Sequence, residues 1–173
     1  ADGDTKPELA LGRFEKEDHV STGEVHEYSP PTKGLSAVPV WQELDFYRHQ
    51  QKVILRNSGS IDPRSLEEGL ARGAYRGAVR ALTELTPEEV IDEVSKSGLR
   101  GRGGAAFPTG QKWRLARAAE ADAKYVVCNA DEGAPGSYMD RNVLEGDPHA
   151  VIEGMLIGSY AVGAREGYLY VRS

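Results

Sequence analysis

Residues 98–113 read Gly-Leu-Arg-Gly-Arg-Gly-Gly-Ala-Ala-Phe-Pro-Thr-Gly-Gln-Lys-Trp. Glycine loses more backbone freedom on ordering than any other residue, so no regular helix or strand is expected from Leu99 to Gly110. The segment must be a loop. Gly101, Gly103 and Gly104 let backbone N–H groups approach a ligand with no Cβ in the way. Arg100, Arg102 and Lys112 add positive charge to a chain whose net charge is −6. A helix is expected from about Gln111 to Asp122, packing Trp113, Leu115 and Ala119 inward. Its free N–H groups favour an anion. Together these features fit a phosphate-bearing or electron-rich ligand.

Three other readings compete. A P-loop needs Gly, four residues, then Gly-Lys-Ser/Thr. Here five residues separate Gly104 from Gly110, and Gln111 follows, so that motif is rejected. A dinucleotide fingerprint is satisfied in its letters by Gly101-x-Gly103-x-x-Ala106, with Asp122 where an acidic ribose ligand should lie. Its context fails, because a strand must precede the loop and residues 87–97 carry helical signals instead. The third reading is a Gly/Arg loop with no ligand. Phe107-Pro108 and the grouped basic residues weigh against it.

The rest of the chain alternates helical and strand patterns. Lys52–Arg56 reads as a short strand, broken by Asn57-Ser58-Gly59-Ser60. Asp62 is expected to cap a helix with Pro63 at its first position and Glu67 and Glu68 in its early turns. A second helix is expected over about Tyr75–Leu82. Thr86-Pro87-Glu88-Glu89 is a capping box with proline at the first helical position. Val90, Ile91 and Val94 give that helix its apolar face, and Gly98 is a natural stop. Tyr125–Cys128 reads as a buried strand and Asn129–Gly136 as loop. Asp147-Pro148 opens another helix, with Ile152, Leu156 and Tyr160 on one side. Tyr168–Val171 is a strand. Strand, helix, strand implies a parallel pair with a right-handed crossover.

The fold class expected is therefore α/β: a Rossmann-like parallel sheet with flanking helices, preceded by an extended amino-terminal arm. Residues 1–40 are that arm or linker. They are poor in large apolar residues, and Tyr28-Ser29-Pro30-Pro31-Thr32-Lys33-Gly34 resists regular structure. Residues 41–173 are the amino-terminal part of an α/β domain, organised from near Trp41. A sheet ending at Ser173 would have little to complete it, so the chain is expected to be a fragment.

Composition narrows the function classes. With 39% hydrophobic and 28% charged residues a globular core is possible. The acidic balance argues against nucleic acid or an anionic membrane as main partner. The longest uncharged stretch, Gly154–Ala164, is far short of the roughly 20 apolar residues that span a bilayer. A cytoplasmic location is expected, soluble or peripheral to the membrane. The one cysteine, Cys128, suits a reducing compartment. It cannot by itself supply the four thiolates of an iron–sulfur cluster. His19 and His26 lie in a stretch without helical or strand period, and solvated loop histidines are the better reading there.

Asn129-Ala130-Asp131-Glu132-Gly133 follows the expected buried strand, and open α/β sheets bind ligands at the carboxyl ends of their strands. Asn129 can donate and accept along a ring edge. Asp131 and Glu132 can accept from ring N–H or ribose hydroxyls. The alternative is that both carboxylates merely cap a turn.

Gly-Leu-Arg-Gly-Arg-Gly-Gly-Ala-x-Phe-Pro-Thr-Gly-x-Lys-Trp (98–113), Cys-Asn-Ala-Asp-Glu (128–132), Pro-Gly-Ser (135–137), Asp140-Arg141 and Pro148-His149 together resemble the flavin- and NADH-binding subunit of respiratory complex I and its relatives. The resemblance runs from about Lys52 onward. The 139–149 stretch is more similar to the soluble bifurcating or NAD(P)-reducing hydrogenase and formate dehydrogenase branch. The resemblance implies FMN held by Gly101, Arg102, Gly103, Gly104, Lys112, Asn129 and Asp131. It places Phe107 and Glu132 on the NADH side, with Glu132 the residue expected to be catalytic. NAD(H), or NADP(H), would exchange hydride with FMN, and single electrons would pass to iron–sulfur clusters. A 4Fe-4S cluster would belong only to a carboxy-terminal part absent here. Implied partners are an iron–sulfur protein and the hydrogenase, formate dehydrogenase or complex I subunits of a larger assembly. The alternatives are a conventional Rossmann NAD-dependent dehydrogenase and a non-catalytic assembly fragment. Two positions depart from the pattern. Ala106 stands where glycine is usual. Ala134 stands where an acidic residue is usual near the dinucleotide, which leaves the choice between NAD and NADP open.

Overall fold

The computed structural model describes residues 43–172. The expectations for residues 1–40, for Trp41 and for His19 and His26 lie outside the described residues. The elements run α1 (Leu66–Ala71), α2 (Arg76–Glu84), α3 (Pro87–Lys96), α4 (Thr109–Ala118), β1 (Tyr125–Ala130), α5 (Met139–Gly146), α6 (Pro148–Val162) and β2 (Glu166–Val171).

The α3 start follows directly from its sequence. The Thr86 side chain accepts from Glu89 N, and the Glu89 carboxylate accepts from Thr86 N at 2.8 Å. Two backbone donors that the first helical turn cannot satisfy are thus paired. Gly98, just past the helix, adopts φ +71, which suits a residue without a Cβ. At α6 the Asp147 side chain accepts from Ala150 N, Pro148 takes the first turn, and Gly163 at φ +80 ends the helix.

The core gathers Ala81, Val90, Ile91 and Ala161, with Leu85, Trp113, Ile157 and Tyr160 packed around them. Ile91 is only 2% exposed, a burial that stabilises by about 1.5–3 kcal/mol. α6 is the central element: it packs against α2, α3, α4 and α5 and lies on both strands. α4 meets α3 at the smallest possible contact. A Cβ on Gly110 would fall onto Ser95 Oγ and within 2.8 Å of Ser95 Cα and N.

β1 and β2 pair in parallel, from Tyr125↔Glu166 through Ala130↔Val171, with α5 and α6 between them in the chain. The strand–helix–strand expectation holds, as a mixed helix and strand fold with a small parallel sheet. β1 is not the buried strand that was expected. Ala130 is buried, but Tyr125 and Val127 are 54% and 57% exposed, because no described element covers that face of the sheet.

Three other expectations need correction, and one helix was not expected. Lys52–Arg56 forms turns and bends rather than a strand. No described strand pairs with it, and Val53 and Ile54 are exposed. The first helix begins at Leu66, capped by Ser65; Asp62 instead accepts from Arg64 N in a preceding turn. α4 starts at Thr109 and ends at Ala118, and Leu115 and Ala119 are exposed while Trp113 packs inward. Residues 139–146 form α5, a helix the sequence did not announce. Among the described residues no helix is long and apolar enough to cross a membrane.

Candidate functional site

The glycine loop is a hook between α3 and α4. Thr109 N donates to Leu99 O and Gly101 N donates to Phe107 O, each at 2.9 Å, so the two limbs run antiparallel. The Arg100 guanidinium donates to Ala106 O at 3.0 Å, and that of Arg102 to Arg100 O at 3.0 Å. Both arginines thus brace the loop through carbonyls and keep their charge without a carboxylate partner among the described residues. Ala106 sits at φ +49, a conformation that favours glycine.

At the tip, an added Cβ on Gly103 or Gly104 would meet nothing within 4 Å. Gly104 needs to be glycine for its φ of +101. No atom of the described residues demands glycine at 103. The space beside it is open to something from outside. α4 starts directly behind the hook, with Pro108 at its cap, no side-chain cap and no acid in its first turn. Lys112 stands in that turn, exposed, with no side-chain partner among the described residues. A lysine there is disfavoured by the helix dipole unless an anion joins it. Phe107 is 41% exposed beside the hook.

The acidic loop leaves the carboxyl end of β1. Asn129 Oδ1 accepts from Asp131 N at 3.1 Å, closing a turn, and the Asp131 side chain is exposed. Glu132 reaches forward to the start of α5 and accepts from Met139 N at 2.6 Å, Asp140 N at 3.2 Å and Arg141 N at 3.3 Å. Desolvation alone would raise its carboxyl. The donors at Arg141, Asp140 and Met139, with the Ser137 hydroxyl, prevail and hold it below the usual glutamate range. Of the two roles considered for Glu132, the geometry displays capping. Ala134 turns the chain toward α5, its carbonyl accepting from the Ser137 hydroxyl at 2.7 Å. Tyr138 at φ +49 begins the helix.

A cleft of ≈ 570 Å³ opens at the carboxyl ends of β1 and β2, lined among others by Glu132, Ala134, Tyr138, Arg141, Glu145 and Arg172. Asn129, Asp131 and the glycine hook do not line it. No hydrogen bond or ion pair joins the hook to the 129–136 loop among the described residues. The expected site residues therefore fall into two groups: Gly101, Arg102, Gly103, Gly104, Phe107 and Lys112 at the hook, and Asn129, Asp131, Glu132 and Ala134 at the strand end. Tyr138 and Arg172 were not singled out in the sequence. The rule that strand ends carry sites applies to both strands, and would have drawn attention to Arg172 directly after β2.

Burial, with the nearby Asp140 carboxylate, pushes the Cys128 thiol up, away from a reactive thiolate. Among the described residues no group of His, Cys, Asp and Glu could hold a metal ion.

Residues 94–173 match the Nuo51 FMN-binding domain. The Nuo51 stretch takes in the end of α3, the hook, α4, the acidic loop, α5, α6 and both strands. The chain is 55% identical to the NADP-reducing hydrogenase subunit HndC of Solidesulfovibrio fructosivorans, over 73% of this chain and 25% of that protein. It is 48% identical to an NADH-quinone oxidoreductase subunit of Rhizobium meliloti, over 70% of this chain and 29% of that protein. A solved NAD+-reducing NiFe hydrogenase in the air-oxidised state superposes with a TM-score of 0.55 at 32% identity, over 72% of this chain and 20% of that one. The chain thus spans about a quarter of the length of the curated relatives it matches. The resemblance read from residues 98–149 is shown by these matches.

Proposed function

We propose that this chain carries the flavin-phosphate side of an NAD(P)H:acceptor oxidoreductase module. The observation that carries the reading is the open tip at Gly103 and Gly104 in front of an uncapped α4, with Lys112 unpartnered beside it among the described residues. The donors and the space fit a phosphomonoester. Gly101, Arg102, Gly103, Gly104 and Lys112 would hold the phosphate end of FMN, and Asn129 and Asp131 its ring edge. Phe107, Glu132 and Ala134 would face NAD(H) or NADP(H). Bound FMN would supply hydride exchange with the nicotinamide and release of single electrons.

Each residue has a task of its own. Backbone N–H groups of the tip and the Lys112 ammonium bind charge. The Arg100 guanidinium fixes the hook through Ala106 O. Phe107 offers an apolar face that excludes water. We assign Glu132 a positioning role, holding α5 and with it the cleft wall, in place of the catalytic one expected from the sequence. One cysteine does not fit a four-thiolate cluster. Single-electron carriers would then lie outside these residues, in an iron–sulfur protein and the hydrogenase, formate dehydrogenase or complex I subunits of an assembly on the cytoplasmic side. Taken alone, the chain is expected to show little or no NADH:ferricyanide turnover. A Rossmann dehydrogenase is the weaker reading, since α3 and not a strand precedes the glycine loop.

The test is FMN affinity of the Lys112→Ala, Asn129→Ala double variant against the unaltered protein. A loss of tenfold or more is expected, from a lost charge-assisted contact and a lost amide. Equal affinities would overturn the assignment.

A further inference from the structure

We propose that Arg172 is the anion-recognising residue of the cleft at the carboxyl ends of β1 and β2, and that it takes a phosphate of a bound nucleotide. This deepens the NAD(P)H reading and rests on it, but uses none of the observations at the glycine hook. Four charged side chains line the cleft: Glu132, Arg141, Glu145 and Arg172. Three are already satisfied. Glu132 is taken up by three backbone N–H groups of α5. Arg141 pairs with Glu145 at 2.9 Å. Arg172 has no hydrogen-bond or ion-pair partner among the described residues.

The guanidinium is placed against the acidic loop. Its Nη1 lies 3.2 Å from where a Cβ on Gly133 would stand, so the bare glycine lets it lie close across the wall. Ala134, in the same wall, brings no carboxylate to compete for it. Tyr138, 57% exposed, also lines the cleft from a left-handed backbone and offers a flat face to a base. A guanidinium fork binds phosphate through two parallel N–H donors, which a lysine cannot reproduce. A cleft of ≈ 570 Å³ is of the size that nucleotide-scale ligands occupy.

The experiment is equilibrium binding of 5′-AMP and 2′,5′-ADP to the full chain and to its Arg172→Ala and Arg172→Lys variants, with circular dichroism confirming equal helix content. Arg172→Ala is expected to weaken binding about tenfold or more, and Arg172→Lys less. A loss confined to 2′,5′-ADP identifies the 2′-phosphate as the contact; a loss shared by both identifies the 5′-phosphate. Unchanged affinities in Arg172→Ala, or no binding of either nucleotide to the unaltered chain, would overturn the proposal. FMN titration of the unaltered chain runs in parallel, so failure of the flavin reading shows separately.

Discussion

The Glu132 carboxylate accepts the backbone N–H of Met139 at 2.6 Å, joining the end of the acidic loop to the first residue of α5. A helix whose preceding residue, Tyr138, offers no side-chain cap is instead capped from six residues before that residue. Because these donors hold the carboxyl below its ordinary value, the stability it contributes is full above the unfolded-state value, about pH 4.3. It is lost as pH falls through the lower folded value. Amide-exchange protection of residues 139–146 is therefore expected to decline on acidification below about pH 4. In Glu132→Gln it should be lower at neutral pH and change less with acid. Identical exchange profiles in the two proteins would remove Glu132 from this role.

Gly110 and Ser95 set the spacing of α3 and α4. Gly110→Ala places a methyl group onto the Ser95 hydroxyl and within 2.8 Å of Ser95 Cα and N, helix backbone that cannot swing aside as a side chain can. A destabilisation of about 1–3 kcal/mol is expected. Gly103→Ala meets no atom within 4 Å and should leave stability within about 0.5 kcal/mol, while weakening FMN. Chemical denaturation of the two variants checks the first part and flavin titration the second.

Ala106 carries a left-handed backbone at φ +49. An L-residue there costs roughly 1–2 kcal/mol, and about 0.4–1 kcal/mol of the relief is lost again because glycine gives the unfolded chain more entropy. Ala106→Gly is thus expected to raise stability by about 0.5–1 kcal/mol. A fall in melting temperature would show that the hook holds this conformation without strain.

Ala134 lines the cleft without a charge. A carboxylate within about 5 Å of a ribose 2′-phosphate would cost roughly 3 kcal/mol at an effective dielectric near 20, reduced by solvent and salt to about 1–2 kcal/mol. Ala134→Glu, in the assembled enzyme, should shift the kcat/KM ratio toward NADH by about tenfold. An unchanged ratio, or a shift toward NADPH, would place residue 134 away from the ribose.

What the sequence disclosed depended on how local the cause was. The α3 capping box spans four adjacent residues, Thr86 to Glu89, and its bonds form as read. The glycine hook was legible as a loop, since its composition admits nothing else. α5 was not, because its cap comes from Glu132 in the preceding loop. Lys52–Arg56 has strand composition, but no described strand pairs with it, and composition cannot supply one. The exposed outer face of β1 follows from which elements stand beside it, not from Tyr125 and Val127 themselves. At the candidate site the residue types were readable, whereas the division between hook and cleft depended on three-dimensional placement.

The phosphate site at the α4 N-terminus is tested most directly by comparing FMN with riboflavin, which lacks the phosphate, on the unaltered chain and on Lys112→Ala. FMN is expected to bind at least tenfold more tightly than riboflavin, and Lys112→Ala is expected to remove most of that difference while leaving riboflavin unaffected. Equal affinities for the two flavins, or an undiminished preference for FMN in Lys112→Ala, would contradict the assignment.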